Sequence, residues 1–322
     1  MSRNDDDAAA VVAFPRLHTS DVFGAVRDGV RLPAGITRFV VTGRVLLLNA
    51  ALEPLRSDRP VEELNEWLRG LVAGRRAEAR IRYYPEAVYV LDDSSLSGDD
   101  HARLREHIPG LKLFGLAEYR SAACPSGGTW ERLLAISSLV RDHYVIQLDS
   151  DTLTVGSIDE VRDCIGRQAA FALGTWDNQK IETMRERCET AKKRVAQGDA
   201  HVQVVAEANF DKLVRFESLR YVRACSGFAG FARGSFTREF VETISVQMGA
   251  AIGDRWREWG SEQVMSNIVI ANIPGAIVLP HPKYADCHKI KPGVTEFIHF
   301  IGSCRFDGGN YARLGAEVIA TL

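Results

Sequence analysis

The sequence predicts an α/β protein in which a mixed, mainly parallel sheet is flanked by helices. Two short apolar segments, VYVL at 88–91 and YVIQL at 144–148, are typical of buried strands. Between them, WERLLAISSLVRD at 130–142 repeats apolar residues at helical spacing. The chain has 322 residues, of which 46% are hydrophobic, so it can bury a sizeable core. Strands and helices that alternate in this way favour a mainly parallel sheet.

The same alternation continues on both sides of these segments. Upstream, ITRFVVT at 36–42 is predicted to be a strand and 61–74 a helix. The remaining predicted elements are helices after Gly43 through Leu55, at 100–108, 157–165, 179–197, 260–272 and from 237, and strands at 111–116, 169–173, 296–300 and from 225. The longest apolar runs fall far short of the roughly 20 residues that a membrane-spanning helix needs.

Charge and cysteine content exclude several classes of function. The net charge is -2, from 40 basic and 42 acidic residues, which argues against a nucleic-acid partner. The six cysteines form no CxxC pair, so we expect free thiols in a reducing compartment. The acidic N-terminal segment lacks the basic start of a signal peptide, and we expect residues 1–15 to form a flexible tail. We therefore expect a cytoplasmic protein, which could still associate with the periphery of the inner membrane.

Two carboxylates follow the predicted strand at 144–148. Asp149 and Asp151 are separated by one residue, so in an extended segment both side chains face one side. Two carboxylates this close repel each other, and a divalent cation such as Mg²⁺ or Mn²⁺ removes the repulsion. The alternative is that one Asp caps the following turn and the other pairs with an arginine. Asp5 and Asp7 show the same spacing without a strand before them, so the strand is what favours a metal site.

A second candidate group lies near the end of the chain, in HFIGSCRF at 299–306. The imidazole of His299 can complete a shell of oxygen and nitrogen ligands around Mn²⁺. Gly302 would let backbone amides approach a phosphate, and Arg305 could pair with one. A histidine at a strand end is otherwise a common structural residue. His281, Cys287 and His288 lie nearby, but they lack the fourth ligand and the spacing of a zinc site.

With these residues in view, the chain resembles the GT-A fold nucleotide-sugar glycosyltransferases, and most closely their family 8, over about residues 80–306. Four segments show this resemblance. YVIQLDSDTLTVGSIDEV is similar to the family's D-x-D strand and the helix after it, and CSGFAGFARGSF is similar to its N-S-G strand. GSEQVMSN is similar to its D-Q-D helix, and HFIGSCRF is similar to its terminal H-F-x-G motif. Three positions depart from the family pattern. Cys225 stands where Asn is frequent, Glu262 replaces the first Asp of D-Q-D, and Arg305 occupies a Lys position.

The resemblance implies a Rossmann-like GT-A domain over residues 16–322. Its donor-binding half would cover about 30–165, and its acceptor-side half, which completes the metal site, about 166–322. The donor would be a UDP- or GDP-sugar, and the acceptor a hydroxyl, for example of a glycan or a lipid-linked group. Asp149, Asp151 and His299 would hold Mn²⁺ or Mg²⁺, and Glu262 and Gln263 would be the catalytic pair. The residues implied in donor binding are Asp92, Asp93, Trp130, Ser150, Gly227, Gly302 and Arg305.

Several alternatives stay open at the level of sequence. Asp92 and Asp93 could instead cap a turn, Trp130 could be core, and Glu262 could simply complement a helix dipole. A nucleotidyl- or phosphotransferase would also use paired acids, although VTGRVL at 41–46 is not a phosphate-binding loop. A non-catalytic nucleotide-sugar binding protein would account for the replaced residues. Retention and inversion of the sugar's configuration are not distinguished.

Overall fold

The computed structural model describes residues 8–12, 87–107, 111–127, 129–149 and 151–319. The strands are β1 (Ala8–Val12), β2 (Val88–Asp92), β3 (Lys112–Gly115), β4 (Tyr144–Leu148), β5 (Thr152–Thr154), β6 (Phe171–Leu173), β7 (Glu182–Thr183), β8 (Arg220–Tyr221), β9 (Cys225–Phe231), β10 (Ile277–Val278), β11 (Tyr284–Asp286) and β12 (Phe297–His299). The α-helices are α1 (Gly98–His107), α2 (Trp130–Leu139), α3 (Asp159–Gly166), α4 (Met184–Ala196), α5 (Val202–Ala208), α6 (Arg238–Ile252), α7 (Ser261–Ala271) and α8 (Asn310–Ile319).

The main sheet has seven strands in the order β10-β6-β9-β4-β1-β2-β3. The strands β4, β1, β2 and β3 pair in parallel, as do β10 and β6, whereas β9 runs antiparallel to both of its neighbours. This arrangement confirms the predicted mixed, mainly parallel sheet flanked by helices. The carboxyl ends of β1, β2 and β4 therefore lie at one edge, which is where open sheets of this kind bind ligands.

The central position of β1 corrects one expectation. Residues 1–15 were expected to form a flexible tail, but Ala8–Val12 lies between β2 and β4 and pairs in parallel with both. Alanine has a low intrinsic preference for strands, so the pairing on both sides is what holds this segment extended. The strand predicted at 36–42 and the helices predicted at 44–55 and 61–74 lie outside the described residues.

A second sheet of three strands, in the order β11-β12-β5, brings the end of the chain back to the turn after β4. In the antiparallel pair of β12 and β5, His299 lies opposite Thr152. The amide of Phe300 donates to the carbonyl of Asp151 at 2.7 Å. Backbone pairing alone thus places the histidine of one motif beside the aspartates of the other.

Helices α2 and α7 are buried over most of their length and pack against each other at their amino ends. The indole of Trp130 is 1% exposed, donates to the hydroxyl of Ser261 at 3.0 Å, and meets Trp256 edge to face at 5.4 Å. Trp130 is therefore a core residue that joins the two helices. This contact fixes the position of the charged residues that follow on each helix.

Two of the six cysteines are not free. Cys287 and Cys304 form a disulfide across 17 positions of sequence, which corrects the expectation of free thiols. Cys124, Cys164, Cys188 and Cys225 are free. The pairing depends on the path of β11 and β12, which sequence spacing does not encode.

Among the helices that the structure describes, none is long and apolar enough to cross a bilayer.

Candidate metal centre

Asp149 and Asp151 lie at the carboxyl end of β4, and both are buried, with 7% and 4% of their surface exposed. The amide of Asp149 donates to the carbonyl of Gly227 at 2.8 Å, which continues the pairing of β4 with β9. The hydroxyl of Thr152 donates to the carbonyl of Asp149 at 2.9 Å and closes the turn between the two acids. The turn thus holds two carboxylates under the protein surface at the ligand-binding edge of the sheet.

The imidazole of His299 completes this group. Its Nε2 lies 3.1 Å from Oδ1 of Asp151 and 3.7 Å from Oδ2 of Asp149. Its Nδ1 lies 3.2 Å from Sγ of Cys225, so the other edge of the ring is also fixed. Space for the ring depends on Gly227, because a Cβ at that position would lie 2.1 Å from Cε1 of His299. The sequence thus provides a glycine where the imidazole crosses β9.

A buried network of ion pairs, formed by Arg132 and Glu262, holds the carboxylate of Asp149 in place. Nη1 of Arg132 lies 2.7 Å from Oδ1 of Asp149, and Nη2 lies 3.2 Å from Oε2 of Glu262. Glu262 is 2% exposed, and its two carboxylate oxygens also accept from the hydroxyls of Thr129 at 2.7 Å and Ser266 at 2.5 Å. Glu262 therefore holds the guanidinium of Arg132 against Asp149.

Arg305 reaches the group from the turn after β12. Its Nη2 lies 3.3 Å from Oδ2 of Asp151, while its Nε donates to the carbonyl of Gly302 at 2.8 Å. Gly302 has a φ of 57°, a conformation that glycine adopts without steric cost. The turn therefore presents a guanidinium to the same carboxylate that faces His299.

The electrostatics of the group are those of tightly interacting charges. Burial raises the pKa of Asp149 to about 6, although Arg132 and His299 oppose the shift. Burial also acts to raise the pKa of Asp151, but the His299 and Arg305 charges outweigh it and hold that pKa below its usual value. Burial acts to lower the pKa of His299, but Cys225 and Asp151 outweigh it and raise that pKa well above its usual value. A proton on His299 is thus favoured by the buried carboxylates, and a cation bound at Nε2 would displace that proton and take over its charge.

The donor atoms fit a divalent cation. One ligand atom from each of Asp149, Asp151 and His299 lies within 4.8 Å of the others. Two carboxylates and one imidazole form the mixed oxygen and nitrogen set that suits Mn²⁺, and the carboxylates alone suit Mg²⁺. The Cys225 contact to the far ring nitrogen is of the kind that orients a metal-ligating histidine.

The other predicted site residues take different places. Asp92 accepts from the backbone amides of Ser94 at 2.8 Å and Leu96 at 3.4 Å, and Asp93 accepts from that of Ser95 at 3.0 Å. These two acids end β2 at the same edge of the sheet, two strands and therefore about 10 Å from β4.

Gln263 and Ser150 are the last two of the predicted site residues. Gln263 lies beside the start of β9, where its amide donates to the carbonyl of Ala224 at 3.0 Å and its Oε1 accepts from Ser226 at 3.3 Å. Ser150 lies outside the described residues.

Sequence reasoning missed two partners of this group. Cys225 entered only as a departure from a family motif. An arginine partner for one of the two aspartates was weighed as an alternative, but Arg132 was not identified as that partner and its pairing with Glu262 was not predicted. Local sequence patterns could not reveal either contact, because the partners are distant in the chain. Cys225 and His299 are 74 positions apart, and Arg132 and Glu262 are 130 positions apart. A buried arginine on a helix just before a D-x-D strand is the feature that could have indicated the second partner.

No protein-family model matches the chain. A curated protein, the ATP-dependent L-serine kinase SbnI of Staphylococcus aureus (strain NCTC 8325 / PS 47), is 33% identical over 82 residues. Those residues are 26% of this chain and 31% of that protein, so the chain spans about a third of the curated relative that it matches.

The solved structures that the chain resembles are glycosyltransferases. The WbbM bifunctional glycosyltransferase is 12% identical with a TM-score of 0.43, and the match covers 94% of this chain and 47% of that one. Mouse xyloside xylosyltransferase 1 is 12% identical with a TM-score of 0.38, covering 93% and 98%. The galactosyltransferase LgtC, in complex with donor and acceptor sugar analogues, is 13% identical with a TM-score of 0.31, covering 73% and 86%. At these values the similarity assigns no role to any residue, and the chain spans about half the length of the first of these structures.

Proposed function

We propose that this chain is a metal-dependent glycosyltransferase of the GT-A type, which moves a sugar from a nucleoside-diphosphate sugar to an acceptor hydroxyl. One observation carries the proposal. Asp149, Asp151 and His299, which are far apart in sequence, converge within 4.8 Å at the carboxyl end of a parallel strand, beside the cationic side chain of Arg305. A cation flanked by an arginine is the arrangement that binds a diphosphate.

Asp149, Asp151 and His299 would hold the cation. A divalent cation in this place supplies a Lewis acid that stabilises charge on the departing nucleoside diphosphate. Arg132 and Glu262 keep Asp149 in position, because each forms part of one buried network. Two residues keep His299 in position: Cys225 contacts Nδ1 of its ring, and Gly227 has no side chain and so leaves space for the ring.

Arg305 would bind the diphosphate directly. Its guanidinium pairs with Asp151, and a phosphate oxygen is an equally suitable partner for it. With a cation held by Asp151, Arg305 would be attracted less strongly to that carboxylate, and its guanidinium would be available to the donor. Arg305 then stabilises the charge that grows on the leaving group as its bond to the sugar breaks.

Glu262 would act as a positioning residue rather than as a base. Both of its oxygens accept hydrogen bonds from side chains, and it is 2% exposed, so an acceptor hydroxyl cannot reach it without disruption of the Arg132 network. Gln263 is half-buried and remains the candidate for contact with the transferred sugar. Its side chain bridges the backbone and Ser226 at the start of β9.

The nucleoside end of the donor would lie toward β2. The ends of β4 and β2 are about 10 Å apart along the ligand-binding edge, a distance that a nucleoside diphosphate can span. Asp92 is occupied by two backbone amides and His101, so Asp93, which is exposed, is the better candidate for a ribose contact.

Phosphotransfer from ATP is the second candidate, since 82 residues of the chain are 33% identical to an L-serine kinase. Paired carboxylates with a cation would serve that reaction as well. The two reactions differ in the donor, so one set of assays distinguishes them.

The first test is thermal unfolding with UDP-glucose, UDP-galactose, GDP-mannose or ATP, each with and without Mn²⁺. A ligand at 100 times its Kd stabilises the native state by about 2.7 kcal/mol, which for a chain of 322 residues corresponds to roughly 4 °C in Tm. We expect a rise with a nucleotide-sugar that requires Mn²⁺ and disappears in Asp151→Asn. Asp254→Asn is the control, since it removes a fully exposed acid outside the proposed site.

The second test measures turnover. We expect slow release of free sugar from the donor that binds, because an active transferase transfers some sugar to water. A shift in Tm without any hydrolysis would indicate a binding protein. Formation of phosphoserine from ATP and L-serine would instead favour the second candidate. A rise in Tm of equal size in Asp151→Asn would contradict the proposed site.

A further inference from the structure

A second cluster of metal-ligating side chains lies behind the candidate metal centre. Cys287 follows β11, His288 comes next, and Cys304 lies in the turn after β12. One ligand atom from each of the three lies within 4.8 Å of the others. The cluster is separate from the first, but the two lie at the ends of neighbouring strands, since the amide of Cys287 donates to the carbonyl of His299 at 2.9 Å.

We propose that Cys287, His288 and Cys304 form a second cation site, for a thiophilic ion such as Zn²⁺. The site exists when the disulfide between the two cysteines is reduced, and the disulfide abolishes it. Two thiolates and one imidazole are soft ligands that select Zn²⁺ over Mg²⁺ or Mn²⁺. The donor set is therefore chemically distinct from the carboxylates of Asp149 and Asp151.

The distances agree with tetrahedral coordination. Both ring nitrogens of His288 lie 3.8 Å from Sγ of Cys304. In a tetrahedral zinc site with bonds of about 2.3 Å to sulfur and 2.0–2.1 Å to nitrogen, a sulfur and a nitrogen ligand are roughly 3.6 Å apart. The imidazole of His288 therefore lies at nearly the distance from Sγ of Cys304 that two ligands of one zinc ion have.

The two sulfurs must separate for the ion to bind. Two zinc-bound sulfurs lie roughly 3.8 Å apart, which is almost twice the length of a disulfide bond of about 2.05 Å. The change follows from reduction by two electrons: a dithiol or phosphine reductant breaks the S–S bond, each sulfur becomes a thiol, and the reductant is oxidised. Each thiol then loses its proton when the cation binds.

The surroundings keep the site accessible and its histidine in place. His288 is exposed and the two cysteines are half-exposed, so an ion can enter from solvent. The backbone amide of His288 donates to Oδ1 of Asp286 at 3.0 Å, and Asp286 in turn pairs with Lys289 at 2.6 Å. Three protein ligands leave a fourth position for water, as in open Cys₂His sites.

The test uses Co²⁺ as the probe, because cobalt bound to thiolates gives a charge-transfer absorption band that carboxylate or imidazole ligands do not give. The full chain is reduced with a phosphine, freed of reductant without oxygen, and titrated with Co²⁺. We expect one thiolate-bound Co²⁺ per chain in the reduced protein, none in the oxidised protein, and displacement of the band by Zn²⁺.

Variants assign the ligands. Cys287→Ser and Cys304→Ser should each lose the band or shift it to that of a single thiolate. His288→Gln should keep both thiolates but remove the imidazole ligand. Co²⁺ binding should weaken by on the order of tenfold or more, since loss of a residue that only orients a ligand already costs that much. Cys225→Ser and Asp149→Asn are the matched controls and should retain the band, since they belong to the other cluster.

Three results would overturn the proposal. The first is a reduced protein that keeps its far-ultraviolet dichroism but gives no thiolate band. The second is a band that survives unchanged in Cys304→Ser. The third is a chain that unfolds on reduction, since the site requires a folded dithiol. If either serine variant fails to fold, the His288→Gln titration still decides whether the histidine is a ligand. None of these outcomes bears on donor binding at Asp149 and Asp151.

Discussion

The carboxyl ends of β4 and β2 look alike in sequence and differ in structure. Each is an apolar strand followed by two closely spaced acids, Asp149 and Asp151 in one case and Asp92 and Asp93 in the other. After β4, the carboxylates are buried and meet side chains from distant parts of the chain, such as His299, 148 positions from Asp151. After β2, the carboxylates accept from backbone amides two to four positions away.

This contrast separates acids that shape a turn from acids that form a site. A carboxylate that caps its own backbone is satisfied locally and requires nothing from the rest of the fold. Buried carboxylates that face each other are stable only if cationic groups are brought to them. Three side chains that can carry positive charge surround the β4 acids, Arg132, His299 and Arg305, and for this reason we propose that end as the site.

The largest expected effect comes from Asp151→Asn. The substitution removes one charged ligand, so Mn²⁺ affinity should fall by on the order of 10²-fold or more, beyond the 10–100-fold loss typical of residues that merely orient a ligand. Isothermal titration with Mn²⁺ measures it. Asp93→Asn, as the matched acid after β2, should leave the affinity unchanged. Equal losses in both variants would remove the distinction between the two strand ends.

Gly227→Ala should have the next largest effect. The added Cβ would lie 2.1 Å from the His299 ring, so the imidazole must move and Mn²⁺ affinity should fall by roughly tenfold. Overpacking should also reduce the free energy of unfolding by about 1–3 kcal/mol.

Gly230→Ala, on the same strand, is the matched control for Gly227→Ala. Its Cβ would lie 2.3 Å from the ring of Phe171 instead. It should destabilise the fold to a similar degree, as measured by urea unfolding, but leave Mn²⁺ binding intact once folded. Equal loss of Mn²⁺ affinity in both variants would show that the effect is one of packing alone.

Arg305→Gln should act in opposite directions on the cation and on the nucleotide. Loss of the guanidinium frees Asp151, and a pair worth about 1 kcal/mol corresponds to roughly fivefold tighter Mn²⁺ binding. UDP binding in the presence of Mn²⁺ should weaken, because the phosphate loses its arginine. Arg313→Gln, which removes an exposed arginine from α8, should change neither. If both affinities fell together, Arg305 would be a structural residue of the turn.

The smallest effect should come from Asp92→Asn. The variant keeps one oxygen for the backbone amides but loses the oxygen of Asp92 that contacts Nε2 of His101 at 2.8 Å. We expect the free energy of unfolding to fall by about 0.5–1.5 kcal/mol, as for one lost hydrogen bond, with Mn²⁺ affinity unchanged. Urea unfolding and Mn²⁺ titration measure the two quantities. A clear loss of Mn²⁺ binding would mean that the β2 end belongs to the metal centre.

The sequence predicted the convergence of Asp149, Asp151 and His299, which lie far apart in the chain, through motifs that resemble those of a known family. It also predicted β2, β3, β4, β6 and β9, together with most of the helices of the described part, from periodicity. These features depend on local pattern, which a single sequence displays. The place of each acid along its strand then follows from the geometry of a parallel sheet.

What the sequence did not predict depends on contacts between distant segments. Residues 8–12 are short and rich in alanine, and only pairing with β2 and β4 makes them a strand. The role of Glu262 follows from Arg132, 130 positions away, and not from its own helix. Cys287 and Cys304 meet because β12 pairs with β11 and the chain then turns back. The spacing of residues along the chain does not predict such contacts between distant segments.

The place of β1 in the sheet has a practical consequence for how the chain tolerates shortening. Ala8–Val12 is the only link, within the described sheet, between the pair β2–β3 and the four strands that end at β4. Proteolytic loss of the first dozen residues would therefore not trim an end but divide the sheet into two parts. The edge that carries the β4 acids would lose its neighbour, and activity should disappear along with cooperative unfolding.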